Sequence, residues 1–144
     1  MATLKTTINL DSNTLFPNPL AIKTTNTLTI NDTSSSFTTN DIQPNGNEVL
    51  LDTEEQSGDS GIIYLYCQSA TTNSGHGIEV SLTHYGINDN SSIDDVTMTI
   101  AKLLPGNTIL IPIYAASANG LRVNIKNNDP LNVGTLTYFY GSKD

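Results

Sequence analysis

The sequence predicts an all-β domain, a jelly roll or related antiparallel β-sandwich of about eight or nine short strands. Three observations predict it. Thr, Asn and Ser together make up about a third of the 144 residues. The branched Cβ of Thr suits a pleated surface, and Asn and Ser favour turns. Charged residues are only 14% of the chain, so the Glu, Lys and Arg that populate helix surfaces are scarce. Finally, short β-like runs alternate with Asn, Gly, Ser and Pro from end to end, with no sustained period of 3.6 residues.

Taken in order, the strand-like runs are Leu4–Leu10, Leu20–Ile30, Glu48–Asp52, Ile62–Ala70, Ile78–Tyr85, Val96–Leu103, Thr108–Ser117, Leu121–Asn127 and Gly134–Tyr140. Alternation is clearest in Ile78, Val80 and Leu82, in Val96, Met98 and Ile100, and in Leu121, Val123 and Ile125, each with polar residues between. Ile62-Ile63-Tyr64-Leu65-Tyr66-Cys67 is apolar on both faces, as is Ile109 to Tyr114. A strand of that kind is central, or its outer face is covered by a partner, which favours an oligomer.

Asn119-Gly120 predicts a two-residue type I′ hairpin pairing Ala118 with Leu121, Ala116 with Val123 and Tyr114 with Ile125. In that register Ile109, Ile111 and Ile113 lie on the same side as Arg122, Asn124 and Lys126. Either the strand is buried on both faces and this outward row is a contact surface, the reading favoured here, or a bulge near Pro112 switches the parity. Pro105-Gly106 predicts the turn before Thr108–Ser117. Asn31–Gly46, Thr53–Gly61 and Tyr85–Asp95 are expected as long loops. No linker or internal repeat divides the chain.

Several function classes lose support at this level. The net charge is −8, and Lys5, Lys23, Lys102, Arg122, Lys126 and Lys143 are scattered, so no basic patch suits nucleic acid. No apolar run has the length of a membrane span, and Met1-Ala2-Thr3-Leu4-Lys5-Thr6 lacks a signal-peptide pattern, so a chain made in cytoplasm is expected. Cys67 is the single cysteine, so no intramolecular disulfide forms. It shares the face of Ile63 and Leu65, where a buried structural thiol is expected.

No catalytic or cofactor-binding residue is assigned. Gly58-Asp59-Ser60-Gly61 matches the peptide around the nucleophile of chymotrypsin-like proteases, but neither His76 nor His84 lies in a matching context for a general base. His84 continues the inward row of Ile78, Val80 and Leu82, and His76 sits in a glycine turn without further ligands. Asp89, Asp94 and Asp95, in an Asn- and Ser-rich stretch, are the calcium candidates. That stretch lacks the central Gly and terminal Glu of an EF-hand and is equally ordinary turn chemistry. The six tyrosines are a candidate stacking platform for sugars. Tyr138 and Tyr140, sharing a face with Leu136, are expected as core capped by hydroxyls.

The opening Thr3-Leu4-Lys5-Thr6-Thr7-Ile8-Asn9-Leu10 with Leu15-Phe16-Pro17-Asn18-Pro19 resembles that of small virion structural proteins of tailed bacteriophages, marine ones especially. Leu104-Pro105-Gly106-Asn107-Thr108-Ile109-Leu110-Ile111-Pro112 and Gly134-Thr135-Leu136-Thr137-Tyr138-Phe139-Tyr140-Gly141 look like their C-terminal strands, leaving the middle third without a match. The resemblance implies a non-enzymatic virion part, such as a capsid decoration protein, head fibre or neck or tail component. Its partners would be the major capsid protein or other virion proteins and further copies of itself, with a trimer favoured. Residues 1–20 would then be an arm or edge strand, with Leu4, Ile8, Leu10, Leu15 and Phe16 meeting a partner, and 21–144 the sandwich. The rival expectation is a carbohydrate- or receptor-binding β-sandwich, as in a fibre tip.

Overall fold

The computed structural model describes residues 2–12, 20–30, 35–52, 61–84, 96–115 and 120–143. Among these residues the chain forms ten strands and no helix: β1 (Ala2–Ser12), β2 (Leu20–Ile30), β3 (Ser35–Ile42), β4 (Asn47–Asp52), β5 (Gly61–Ser69), β6 (Ile78–His84), β7 (Val96–Leu103), β8 (Thr108–Ala115), β9 (Leu121–Asn127) and β10 (Gly134–Lys143). β1 and β2 form a two-stranded ribbon, and the other eight form two four-stranded sheets of order β3-β10-β5-β8 and β4-β9-β6-β7. Every pairing is antiparallel. From β3 onward consecutive strands mostly change sheet, and this double Greek-key order is that of a jelly roll.

Alternation places the core. One row from each central strand points between the sheets: Ile63, Leu65 and Cys67 from β5, Ile78, Val80 and Leu82 from β6, Leu121, Val123 and Ile125 from β9, and Leu136 and Tyr138 from β10 are all buried. In β4 a bulge between Val49 and Leu51 adds Leu50 to the strand. Two consecutive leucines are buried there, while Val49 turns out to solvent. β7 is an edge strand with a register shift opposite Val80 and Ser81. Its first half, Val96 to Thr99, is exposed on both faces, so the alternation of Val96, Met98 and Ile100 does not mark a buried row there.

The Asn119-Gly120 hairpin does not form as the sequence predicts. β8 pairs with β5, and β9 lies between β4 and β6, so the connection crosses from one sheet to the other. Asn119 itself lies outside the described residues. The hairpin would have put Ile109, Ile111 and Ile113 beside Arg122, Asn124 and Lys126. The change of sheet brings them instead opposite Cys67, Leu65 and Ile63. Ile113 is buried, and Ile109 and Ile111 pack against the core. This row is therefore core and not an outward contact surface, because burying it removes more apolar area from water than an exposed ladder would.

Two other expectations change. The sequence predicts loop over β3, because Ser35 to Asp41 has no apolar residue besides Phe37; it is an edge strand whose place is set by its ladder with β10. β2 was expected within the sandwich, yet it pairs with β1 over eleven residues, from Ala2 opposite Ile30 to Ser12 opposite Leu20. The stretch carrying Leu4, Ile8 and Leu10 thus pairs with its own chain; Leu15 and Phe16 lie outside the described residues.

One end of the sandwich is closed by short connections. Gln43-Pro44-Asn45-Gly46 and Leu104-Pro105-Gly106-Asn107 are type II turns with Pro second and a positive-φ residue third, Asn45 (53°) and Gly106 (77°). Each closes with a backbone bond, Gly46 N–H to the Gln43 carbonyl at 2.7 Å and Asn107 N–H to the Leu104 carbonyl at 2.9 Å. The buried Asn127 ties this end together. Its amide nitrogen donates to the carbonyls of Ile42 (3.1 Å), Gln43 (3.3 Å) and Asn132 (2.9 Å), and its oxygen accepts from Asp129 N–H (3.0 Å). A Cβ at Gly134 would lie 3.1 Å from that amide, which is why glycine starts β10. Asp129, also buried, accepts from the backbone of Leu131 (2.8 Å) and Asn132 (2.9 Å).

Two predictions follow from this cluster. Asn127→Ala leaves buried carbonyls unpaired and is expected to cost about 2–4 kcal/mol in urea unfolding. The Ser74 hydroxyl, the Leu131 and Asn132 N–H groups and the Asn132 amide hold the Asp129 carboxyl well below the usual carboxylate range. A carboxyl lowered on folding stabilises the fold above its unfolded pKa, and that contribution fades on acidification. Melting temperature should fall as pH drops below about 4, and Asp129→Asn should flatten the profile in that window.

Candidate interaction surface

The two sheets have opposite outward faces. On the β4-β9-β6-β7 sheet the outward row is polar apart from Val49. Glu79 lies opposite both Lys126 and Lys102, and Asn124 lies opposite Ser81. Arg122 Nε donates to Asp52 Oδ2 at 2.7 Å. Hydroxyls and amides bond along the face: the Thr83 and Thr97 hydroxyls share a bond of 2.8 Å, Asn124 donates to Thr83 at 3.1 Å, and Thr99 donates to Glu79 at 2.8 Å. A face of this kind is content in water.

The outward face of the β3-β10-β5-β8 sheet is aromatic and aliphatic. Antiparallel register sets the two strands that are apolar on both sides next to each other, with Tyr64 opposite Pro112 and Tyr66 opposite Leu110. On the other flank of β5, Tyr66 lies opposite Phe139 of β10. Tyr114, at the end of β8, is 69% exposed and Pro112 is exposed, while Tyr64, Tyr66, Leu110 and Phe139 are half-buried. Towards the Gln68 end the face turns polar. Tyr66 donates its hydroxyl to Gln68 at 2.9 Å, the Thr39 and Thr137 hydroxyls bond at 2.9 Å, and Thr135 donates to Asp41 at 2.7 Å. A single exposed apolar side chain on a monomer is ordinary; a contiguous row across three strands marks a contact surface.

Of the residues singled out in the sequence, the expected doubly apolar strands are here, but the outward residues are Leu110, Pro112 and Tyr114 in place of Ile109, Ile111 and Ile113. Which row faces outward depends on β8 pairing with β5, a contact between strands about forty residues apart in the chain that no local pattern encodes. Tyr138 is buried and Tyr140 packs on the core, as their face with Leu136 predicts. Phe139, between them, was not singled out. Its parity on β10 is the signal that it faces the other way.

The chemistry-bearing residues stay apart. His84 is exposed at the end of β6, not inward as its alternation predicts. His76 is exposed in the turn before β6. No group of three or more His, Cys, Asp or Glu is placed to hold a metal among the described residues. Asp89, Asp94 and Asp95 lie outside them, as do Asp59 and Ser60 of the protease-like tetrapeptide. Cys67 is buried in the core, and burial pushes its thiol up to about 12.

No protein-family model and no curated protein matches this chain. Among solved structures, the mitogen derived from Yersinia pseudotuberculosis is similar at a TM-score of 0.48 with 17% identity, covering 77% of this chain and 87% of that one.

The Cys67 placement predicts that a thiol reagent at pH 8 leaves the native protein unmodified and labels one group per chain once denaturant unfolds it. Rapid labelling of the native chain would contradict the core assignment.

Proposed function

We propose that this protein is a non-enzymatic structural protein of a tailed-phage virion, most specifically a capsid decoration protein that binds the particle surface and self-associates. The observation that carries the assembly part of this reading is the apolar outward face of Tyr64, Tyr66, Leu110, Pro112, Tyr114 and Phe139, set against a polar face on the opposite sheet. Burying such a row on a partner removes apolar area from water, with no charge to desolvate at its centre. The virion part rests on the resemblance of the two ends of the chain. The jelly roll is compatible with it, since viral capsid domains use that architecture among others. A trimer is the expected assembly, formed in host cytoplasm and carried on the virion.

A second reading has one observation in its favour. Tyr64, Tyr66 and Tyr114 share a face with the hydrogen-bonding Gln68 and Thr137, a combination that also suits a sugar ring stacked on an aromatic ring. In that case the face binds a glycan and the chain remains monomeric.

Sedimentation equilibrium of the wild type and of Tyr114→Asp separates the two. The assembly reading expects a concentration-dependent oligomer, weakened about thirtyfold by Tyr114→Asp, the size of an interface hot spot. Lys102→Gln on the polar face should leave it unchanged. A wild type that stays monomeric at every concentration and binds immobilised glycans would overturn it in favour of the second reading.

A further inference from the structure

Part of the β1–β2 ribbon, Ala21 to Thr25, is open to water. Ala21, Ile22, Lys23, Thr24 and Thr25 are exposed in succession, which happens only where both faces of a strand are open to water. Ile22 is 46% exposed although it occupies the apolar parity of the ribbon. In the register, Leu4 is opposite Leu28, Ile8 opposite Thr24, Leu10 opposite Ile22 and Ala2 opposite Ile30, so the even positions carry nearly all of the ribbon's aliphatic residues. The odd positions carry Lys5, Thr7, Lys23, Thr25 and Thr27, all exposed, with the Thr7 and Thr25 hydroxyls 3.2 Å apart. A two-stranded ribbon of this length holds its shape poorly alone in water, so its apolar side calls for a surface.

Three further features say which surface. Residues 1–30 hold two of the six basic residues and one of the fourteen acidic ones, net +1, which leaves −9 on residues 31–144. The ribbon is the cationic part of a strongly acidic chain and is drawn to the body of another copy rather than repelled by it. Its eleven-residue strands span roughly 36 Å, enough to cross the outward face of β5, β8 and β10, whose strands span roughly 26–33 Å. The ribbon also meets the sandwich at β10, the strand that contributes Phe139.

We infer that the β1–β2 ribbon is an exchanged arm that lies, even-numbered side down, on the Tyr64–Tyr66–Leu110–Tyr114–Phe139 face of a second copy of this chain. Each copy gives an arm and receives one. Giver and receiver are different surfaces, so two copies satisfy each other by reciprocal exchange and more copies by a head-to-tail ring. This inference rests on the assembly reading above and names the occupant of the face.

The test uses full-length chains. Ile22→Cys protein with one affinity tag is mixed with a panel of Leu110→Cys, Tyr114→Cys and Thr137→Cys proteins carrying another, under mild oxidation; Cys67 is buried and stays silent. The expected result is a mixed disulfide between arm and face variants, with Ile22→Asp weakening association at least tenfold while its circular dichroism matches wild type. The inference is overturned, with the assembly reading left standing, if Tyr114→Asp dissociates the oligomer but Ile22→Asp does not and no mixed disulfide forms. It is also overturned if a doubly substituted Ile22→Cys, Tyr114→Cys monomer closes the disulfide within one chain. A wild type that never associates overturns both.

Discussion

The structure depends on one constraint: a strand that is apolar on both faces cannot end in water on either side without cost. The chain has two such strands, β5 and β8. Set side by side, they share a single solution, with one row of each in the core and the other rows merged into one outward patch. Separated in different sheets, they would have left two apolar faces to cover. The predicted hairpin of β8 with β9 would have done that, stranding three isoleucines beside Arg122, Asn124 and Lys126. The jelly-roll order follows from avoiding it, because β8 reaches β5 only if the chain crosses between sheets on both sides of it.

The asymmetry of the molecule grows from the same choice. With both doubly apolar strands in one sheet, the other is built around β6 and β9, which alternate, and most of its outward row becomes a ladder of Thr, Ser, Asn and paired charges. One face is finished as a solvent surface. The other presents aromatic rings, grading into hydroxyls and amides near Gln68 and Asp41. Between the sheets, the hydrogen bonds of Asn127 and Asp129 pin the turns at one end, so the faces are displayed by a frame whose buried polar groups are satisfied.

Much of this frame was legible in the sequence, and for identifiable reasons. Leu20–Ile30, Val96–Leu103 and Leu121–Asn127 match observed strands at both ends because turn residues flank them closely. The burial of Cys67 and Tyr138 followed from parity within a strand. Pairing between distant strands was not legible. Asn119-Gly120 is a strong local turn signal, but tertiary packing of the isoleucine row outweighs it. β3 was invisible because an edge strand of Ser, Thr and Asn has no apolar period, and only its ladder with β10 makes it a strand. The contact surface was half read. Its two strands were identified as covered on both sides, while the row that faces outward was inverted, since one change of strand partner reverses every side chain.

On the proposed reading, the aromatic sheet face is covered by protein when the chain is at work. Oxidative footprinting of individual tyrosines across a dilution series tests it most directly. Tyr114, Tyr64 and Tyr66 are expected to lose reactivity together as concentration rises, while the core residue Tyr138 stays unreactive throughout. Tyr114 that is equally reactive from the most dilute to the most concentrated sample would contradict it.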